Sequence, residues 1–593
     1  MADRYAVGID LGTTNSVVSY VDLDAKQPRA EVMPIPQLVD RATVEARNAL
    51  PSFTYLATDA EAQGGACDLP WQPGADCAVG EFARRQSADN PDRTVGAAKS
   101  WLCQSRVDRH SRILPWQASN DSPKISPVDA SQRYLEHLVE AWNSRFPDMP
   151  LSEQHVVLTV PASFDPAARE LTREAARKAG LPESMVLLEE PQAAVYAWLQ
   201  QMGDDWRESL QAGESLLVCD VGGGTTDLTL VDVIDEEGAL QLKRRAVGNH
   251  LLVGGDNMDL ALAHHSSTLF AEQGTNLDPW QSVSLWHACR NAKEQLLTED
   301  GPDTQTVSVL GRGSKLIGGT VSVELERASA AALITEGFFP QCDLADRPQR
   351  AMASGFQDIG LAYESDPAVT RHVAEFLSRH GDEQPIRPDH ILLNGGVFRS
   401  NVLRSRLMSV IGGWFKADSA PSLLDGVHDL DNAVSLGAAF YGWTRANGAP
   451  RIRGGTACSW YIGIETAGLA IPGAPRPLNA LCVVPQGMEE GTSCDVPAAE
   501  IGLAVGEPAR FRFFGSTIRP DDQPGNRLAS WSEDELIESA PVETQLDADD
   551  SMTEPWIPVK FHSTVTELGV LELWCVNPQT DRRWKLEFSV RES

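Results

Sequence analysis

Two stretches of the chain repeat one another, and the repeat restricts the fold more than any other feature. Ile9-Asp10-Leu11-Gly12-Thr13-Thr14-Asn15-Ser16 leads into the apolar-rich run Val17 to Leu23. Cys219-Asp220-Val221-Gly222-Gly223-Gly224-Thr225-Thr226-Asp227 leads into Leu228 to Val233. Each is an apolar strand that reaches an Asp, turns through glycine and two threonines, and returns as a second strand. A tip of glycine and hydroxyl lets backbone N–H groups and Thr Oγ approach phosphate oxygens with no side chain between them. Either hairpin alone also reads as an ordinary glycine turn, the less favoured of the two readings. The recurrence in equivalent places of two α/β halves does not, and two such tips facing each other would clamp a polyphosphate from both sides.

Strand and helix signals alternate from residue 1 to about 450. Strands are expected at Tyr5 to Asp10, Val17 to Val21, His155 to Val160, Ser215 to Cys219, Leu228 to Val233 and His390 to Leu393. One helix is explicit: Asp165 suits an N-cap, Pro166 the first helical position, and Gly180 stops a run that reaches Ala179. Strand followed by helix, twice over, predicts a duplicated α/β domain over residues 1–450 with its ligand between the halves. Beyond about Gly454 helix signals fade and short strands take over, predicting a smaller all-β domain over residues 456–593. Within it Trp584, Leu586, Phe588 and Val590 alternate with polar residues at the period of a half-buried strand. The acidic stretch Glu533 to Glu554, with Pro541 and no clear period, reads as a solvated loop, and Asn447 to Gly455 as the linker.

Composition limits the partners. A net charge of −33 repels nucleic acid and anionic membrane alike, so neither is expected as a partner. The N-terminus lacks an apolar leader, and no window reaches the ~18 apolar residues of a membrane span. The 10 cysteines form no zinc-spaced cluster; Cys219 and Cys575 sit in apolar runs and read as reduced core residues, so a cytoplasmic location is expected.

Further motifs join the two hairpins: Ala98-Lys99-Ser100, Glu190-Pro191, Gly254-Gly255-Asp256-Asn257-Met258-Asp259, Asn394-Gly395-Gly396-Val397-Phe398-Arg399 and the helix Ala433 to Ala439. Together they resemble the heat shock protein 70 family of DnaK-type chaperones over roughly the first three-quarters of the chain. The resemblance implies an actin-like (ribonuclease H-like) ATPase fold, ATP and Mg2+ as ligands, and ATP-controlled binding of unfolded or specific client polypeptide. It also implies a J-domain co-chaperone and a nucleotide-exchange factor as partners. By the same resemblance Lys99, Glu190, Asp220, Asp10 and Thr225 are the catalytic set. Gly12, Thr13, Thr14, Asn15, Gly222, Gly223, Gly224, Thr226, Gly254, Gly255, Asp256, Lys293, Gly395, Gly396, Arg399 and Asp431 bind the nucleotide, and Pro161 and Arg169 relay its state outward. Structurally, Pro161 could equally end its strand and Arg169 be a first-turn surface residue.

The chemistry agrees with that set. Phosphoryl transfer to water needs positioning and charge neutralisation more than covalent help. Lys99 offers a positive charge to the transferred group. Asp10, Glu190 and Asp220 would repel phosphate directly, and suit Mg2+ held through its waters, since that ion keeps much of its hydration shell.

The chain also departs from the family pattern. Arg290 stands where a ribose-binding Glu is usual, and Glu294 where an adenine-stacking Arg is usual; a guanidinium plane stacks on a base and a carboxylate does not. The stretch Arg451 to Thr456 lacks the family's apolar linker run, although Tyr461 to Thr466 resembles the opening strand of its substrate-binding β domain. No helical lid is expected after that domain. Three other functions share this fold: an ATP-sensing scaffold with little hydrolysis, a sugar kinase and a polymerising filament protein. The Lys99 element, Glu190-Pro191 and the appended β domain count against the kinase, and the β domain against the filament.

Overall fold

The apolar runs on either side of the first glycine tip pair as an antiparallel hairpin. They form β1 (Tyr5–Leu11) and β2 (Asn15–Asp22), in register from Tyr5↔Asp22 to Leu11↔Ser16. β3 (Glu31–Val32) lies outside β2, while β4 (His155–Val160) and β5 (Val186–Glu189) add in parallel beside β1. The first sheet therefore runs β5-β4-β1-β2-β3. The second is built from β6 (Ser215–Val221), β7 (Thr226–Glu236), β8 (Ala239–Val247), β9 (His390–Asn394) and β10 (Ser422–Leu423), in the order β8-β7-β6-β9-β10. β6 and β7 are the second hairpin, and β9 and β10 run parallel to β6. Along these five strands the order and direction are the same in both sheets; the first sheet also carries Leu50–Pro51 on β2. Every residue of β6 is buried, as expected of a central strand covered on both faces.

This computed structural model describes residues 4–588 apart from 105–106, 120, 237–238, 312–318, 350–363, 382–383, 417–418, 425–428, 448–454, 466–476, 490, 499, 505, 507, 546–555 and 567–569. Most of the expected linker, and the end of the last expected strand at Val590, lie outside the described residues.

The helices that matter for the site are α1 (Glu81–Asp89), α2 (Ala98–Leu102), α3 (Pro166–Lys178), α4 (Glu190–Met202), α5 (Gly255–Glu272), α6 (Pro279–Leu296) and α7 (Ala433–Ala446). α3 follows its sequence signals: the Asp165 side chain accepts from the Ala168 N–H, Pro166 opens the first turn, and Gly180 follows the C-cap at φ +91. α4 and α7 share one buried cluster with both sheets, in which Ala193, Val195, Val434 and Ala438 meet Val157 and Leu188 of the first sheet and Leu216 and Val218 of the second. Gly437 permits their crossing, because a Cβ there would lie 1.8 Å from the Ala193 carbonyl oxygen.

The described residues between 459 and 588 include ten strands that form one sheet. Its strands are β11 (Ser459–Glu465), β12 (Leu478–Val484), β13 (Thr492–Asp495), β14 (Ile501–Ala504), β15 (Pro508–Ser516), β16 (Arg527–Leu528), β17 (Ile537–Gln545), β18 (Trp556–Val565), β19 (Leu571–Val576) and β20 (Arg583–Phe588). The order is β13-β18-β19-β20-β17-β15-β11-β12-β16, with β14 also on β18. The sheet curls as a half-barrel around one core that includes Ile462, Val483, Phe513, Val542, Phe561, Leu573 and Leu586, and the Ser563 hydroxyl donates to the Val483 carbonyl across it (2.8 Å).

At Ile537–Gln545, β17 corrects the sequence reading, which took Glu533 to Glu554 for a solvated loop; residues 546–554 lie outside the described residues. Ala540, Val542 and Thr544 alternate inward on residues too small or too polar to stand out as a hydrophobic period. Pro541 sits where the register with β15 slips between Phe511 and Phe513, a bulge that tolerates a residue with no N–H.

Candidate functional site

Because a hairpin fixes which residues sit at its tip, both Gly/Thr tips project to the same place. They meet at a cavity of about 350 Å³ between the two sheets, whose wall includes Asp10, Gly12, Thr13, Thr14, Asn15, Lys99, Glu190, Asp220, Gly222, Gly223 and Thr225. The tips are in near contact: a Cβ on Gly223 would lie 2.0 Å from Thr14 Oγ1, and one on Gly224 3.0 Å from Thr13 Cγ2. Thr14 Oγ1 is buried with no hydrogen-bond partner, a hydroxyl left over for a ligand.

The wall continues through Gly255, Asp256, Lys293, Gly395, Gly396, Arg399 and Asp431, so most of the expected nucleotide-binding residues converge. Gly224, Thr226 and Gly254 do not line it. Thr226 points to the other face of its strand, where its hydroxyl donates to the Val253 carbonyl (2.8 Å). Gly254 packs on the carbonyls of Gly222 and Gly223, each 2.7 Å from where its Cβ would be, and Gly224 serves the approach of the tips. These three positions shape the loops rather than the wall.

Charge is concentrated at the closed end. Lys99 on α2, which is buried, is ion-paired to the partly buried Glu190, the first residue of α4. Asp10 accepts from Thr159 (3.2 Å) and Asp220 from Asn394 (2.8 Å). Burial, with Asp10 and Asp220 nearby, outweighs Lys99 and pushes Glu190 up to about 8. Burial likewise pushes Asp220 up to about 7 against its Asn394 hydrogen bond, and raises Asp10. Burial alone would lower Lys99, but Glu190 and Asp10 hold it above its ordinary value. One lysine thus faces three carboxyl groups whose ionised forms burial disfavours. The donors are hard oxygens, as Mg2+ requires. Among the described residues no three His, Cys or carboxylate groups stand close enough to hold an ion directly.

Sequence reasoning missed a second polar cluster beside the first. Asp227, one step past the second tip, accepts from Ser163 (2.5 Å), whose oxygen lies 2.7 Å from His250 Nδ1. Burial would lower His250, yet Cys103 and Asp227 hold it well above its ordinary value. Asp227 was legible in the repeated motif; a lone His and a lone Ser carried no signal.

Pro161 is buried at the end of β4. Arg169 is not a surface residue: it donates to Glu189 (2.6 Å) and to the Phe164 carbonyl (3.1 Å). Glu189 also pairs with Arg244, and a small crevice joins these groups to Thr456, Cys458 and Trp460 at the start of the third sheet. Ser539 of that sheet hydrogen-bonds Asp165, the N-cap of α3, and Val570 packs into the core of the first half.

Arg290, on α6, is bound to Asp256 and to Asp259 (2.8 Å), and Asp259 also pairs with Lys293 (2.6 Å). Arg399 is paired with Asp431 (3.2 Å) at the mouth.

No helix among the described residues is long and apolar enough to cross a membrane. Compared with protein families, residues 69–354 match the family model described as Hsp70 protein. The match takes in Lys99, Glu190, the second tip and α6, and stops short of the first tip and the Gly395-Gly396 turn.

Proposed function

We propose that the chain, whose residues 69–354 match the Hsp70 protein family, is an ATP-hydrolysing molecular chaperone of that type. In this reading residues 1–450 are a duplicated actin-like ATPase domain and residues 456–593 a β domain that holds client polypeptide. The observation that carries it is the pair of glycine tips facing each other across the cavity, with Lys99 and three carboxylates at the closed end. Backbone N–H groups and the free Thr14 hydroxyl take the β- and γ-phosphates. Lys99 offers charge to the transferred phosphoryl group, and Glu190 or Asp220, held largely by burial near neutrality, orients the attacking water. Asp10, Glu190 and Asp220 would hold Mg2+, which would supply positive charge beside the phosphates in addition to that of Lys99.

Glu189 and Glu190 are consecutive, one in the arginine cluster facing the third sheet and the other in the cavity. That adjacency supports a relay through Arg169 in which nucleotide state changes the contact with the β domain, and through it client release. A J-domain co-chaperone and a nucleotide-exchange factor complete the cycle, and reduced buried cysteines suit the cytoplasm. A specific observation favours the scaffold as second reading: Lys99 is already neutralised by Glu190.

Steady-state ATP hydrolysis by the full chain, with and without an unfolded peptide and beside Lys99→Ala, tests both. Hydrolysis abolished in Lys99→Ala and stimulated by peptide supports the chaperone cycle. Hydrolysis indifferent to peptide supports the scaffold, and binding without turnover above the Lys99→Ala background overturns the enzyme.

A further inference from the structure

A ribonucleotide carries two neighbouring ribose hydroxyls, and an ionised carboxylate is the strongest acceptor a protein can set against them. Beyond the phosphate end, the cavity wall holds four carboxylates: Asp256, Asp259, Glu294 and Asp431. Three are engaged. Asp256 is bound by Arg290, Asp259 by Arg290 and Lys293, and Asp431 by Arg399.

Glu294 differs. It lies one helical turn beyond Arg290 on the same face of α6, is exposed at the cavity, and makes no hydrogen bond or ion pair among the described residues. Arg290 also lines the wall, but it is buried, with Nη2 on Asp256 and Nε on Asp259. The same wall presents Leu297, Leu403 and Leu430, apolar surface against which a base can lie.

We propose that Glu294 is the sugar-selecting residue of the cleft, accepting hydrogen bonds from the ribose hydroxyls of a bound nucleotide. The inference rests on the nucleotide reading above. It accounts for the altered pair on α6 as one change: the arginine is absorbed into an internal ion cluster, and the acceptor moves one turn along the helix.

The test is calorimetric binding of ADP, 2′-deoxy-ADP and pyrophosphate to the full chain with Mg2+. The native chain is expected to hold ADP about 10- to 100-fold more tightly than 2′-deoxy-ADP, the effect of one hydrogen bond to a charged group. Glu294→Ala should bring that ratio to within about 2-fold, with Glu294→Gln between, while pyrophosphate affinity stays unchanged because the tips are untouched. A ratio as large in Glu294→Ala as in the native chain overturns the inference and leaves the nucleotide reading standing. Equal native affinity for the two nucleotides does the same. A native chain that binds none of the three ligands overturns both.

Discussion

A single methyl group at the second glycine tip should separate the role of the two hairpins from their mere presence. In Gly223→Ala the new Cβ would lie 2.0 Å from Thr14 Oγ1, 3.2 Å from Thr14 Cβ and 3.4 Å from Asp256 Oδ1. Thr14 can relieve the shortest contact only by turning its hydroxyl away, and the contact to its Cβ stays tight. The neighbouring Gly222→Ala meets nothing closer than the Thr225 carbonyl at 3.6 Å, and neither glycine has a left-handed backbone. The two variants therefore share a chemical change and differ in whether the tips can still approach. Losing one hydrogen bond to a charged phosphate costs about 1.5–3 kcal/mol, or roughly 10- to 100-fold in Kd. Calorimetry with Mg2+·ADP should show that loss for Gly223→Ala and a smaller one for Gly222→Ala, which adds a methyl at the cavity wall without parting the tips, with melting curves confirming that both fold. Equal weakening by the two substitutions, or native affinity in Gly223→Ala, would refute the clamp geometry.

At the crossing of α4 and α7, Gly437→Ala forces backbone apart rather than side chains, and should cost about 3 kcal/mol. Gly442→Ala, whose Cβ would meet the Ala6 Cβ at 3.0 Å, should cost less than half as much, as urea denaturation would measure. Burial holds His137 neutral down to about 4 while its Nε2 donates to the Pro36 carbonyl (2.9 Å). Below the unfolded value of about 6.5 the unfolded chain takes up a proton that the folded ring refuses, so stability falls as pH drops from there to about 4, by about 3 kcal/mol in all. His137→Gln should flatten the fall in melting temperature between pH 7 and pH 5, and an unchanged slope would count against the assignment.

The hairpins were legible because everything that makes them is local: an apolar run, an Asp, glycines, and a second run. What the motif could not say was which way each residue faces. Thr225 and Thr226 look alike in the sequence, yet a strand alternates its side chains, so one lines the cavity and the other hydrogen-bonds Val253 behind it. Arg290 shows a second limit. Its departure from the family pattern was visible, but its capture by Asp256 and Asp259 depends on how α5 and α6 pack. The Glu189 pairs with Arg169 and Arg244 join residues from distant parts of the chain, and no local pattern announces such a meeting.

Among the described residues the terminal strands of the ten-stranded sheet are short. One terminal strand is Thr492–Asp495 and the other Arg527–Leu528, four and two residues long. A long bare edge invites any extended chain to add itself as another strand, and a protein held beside unfolded polypeptide at high concentration would meet that hazard constantly. Short edges offer too few free N–H and C=O groups to template such growth. Capture of a client by this sheet would then depend on side chains read one at a time, which permits release; open-ended backbone zippering does not.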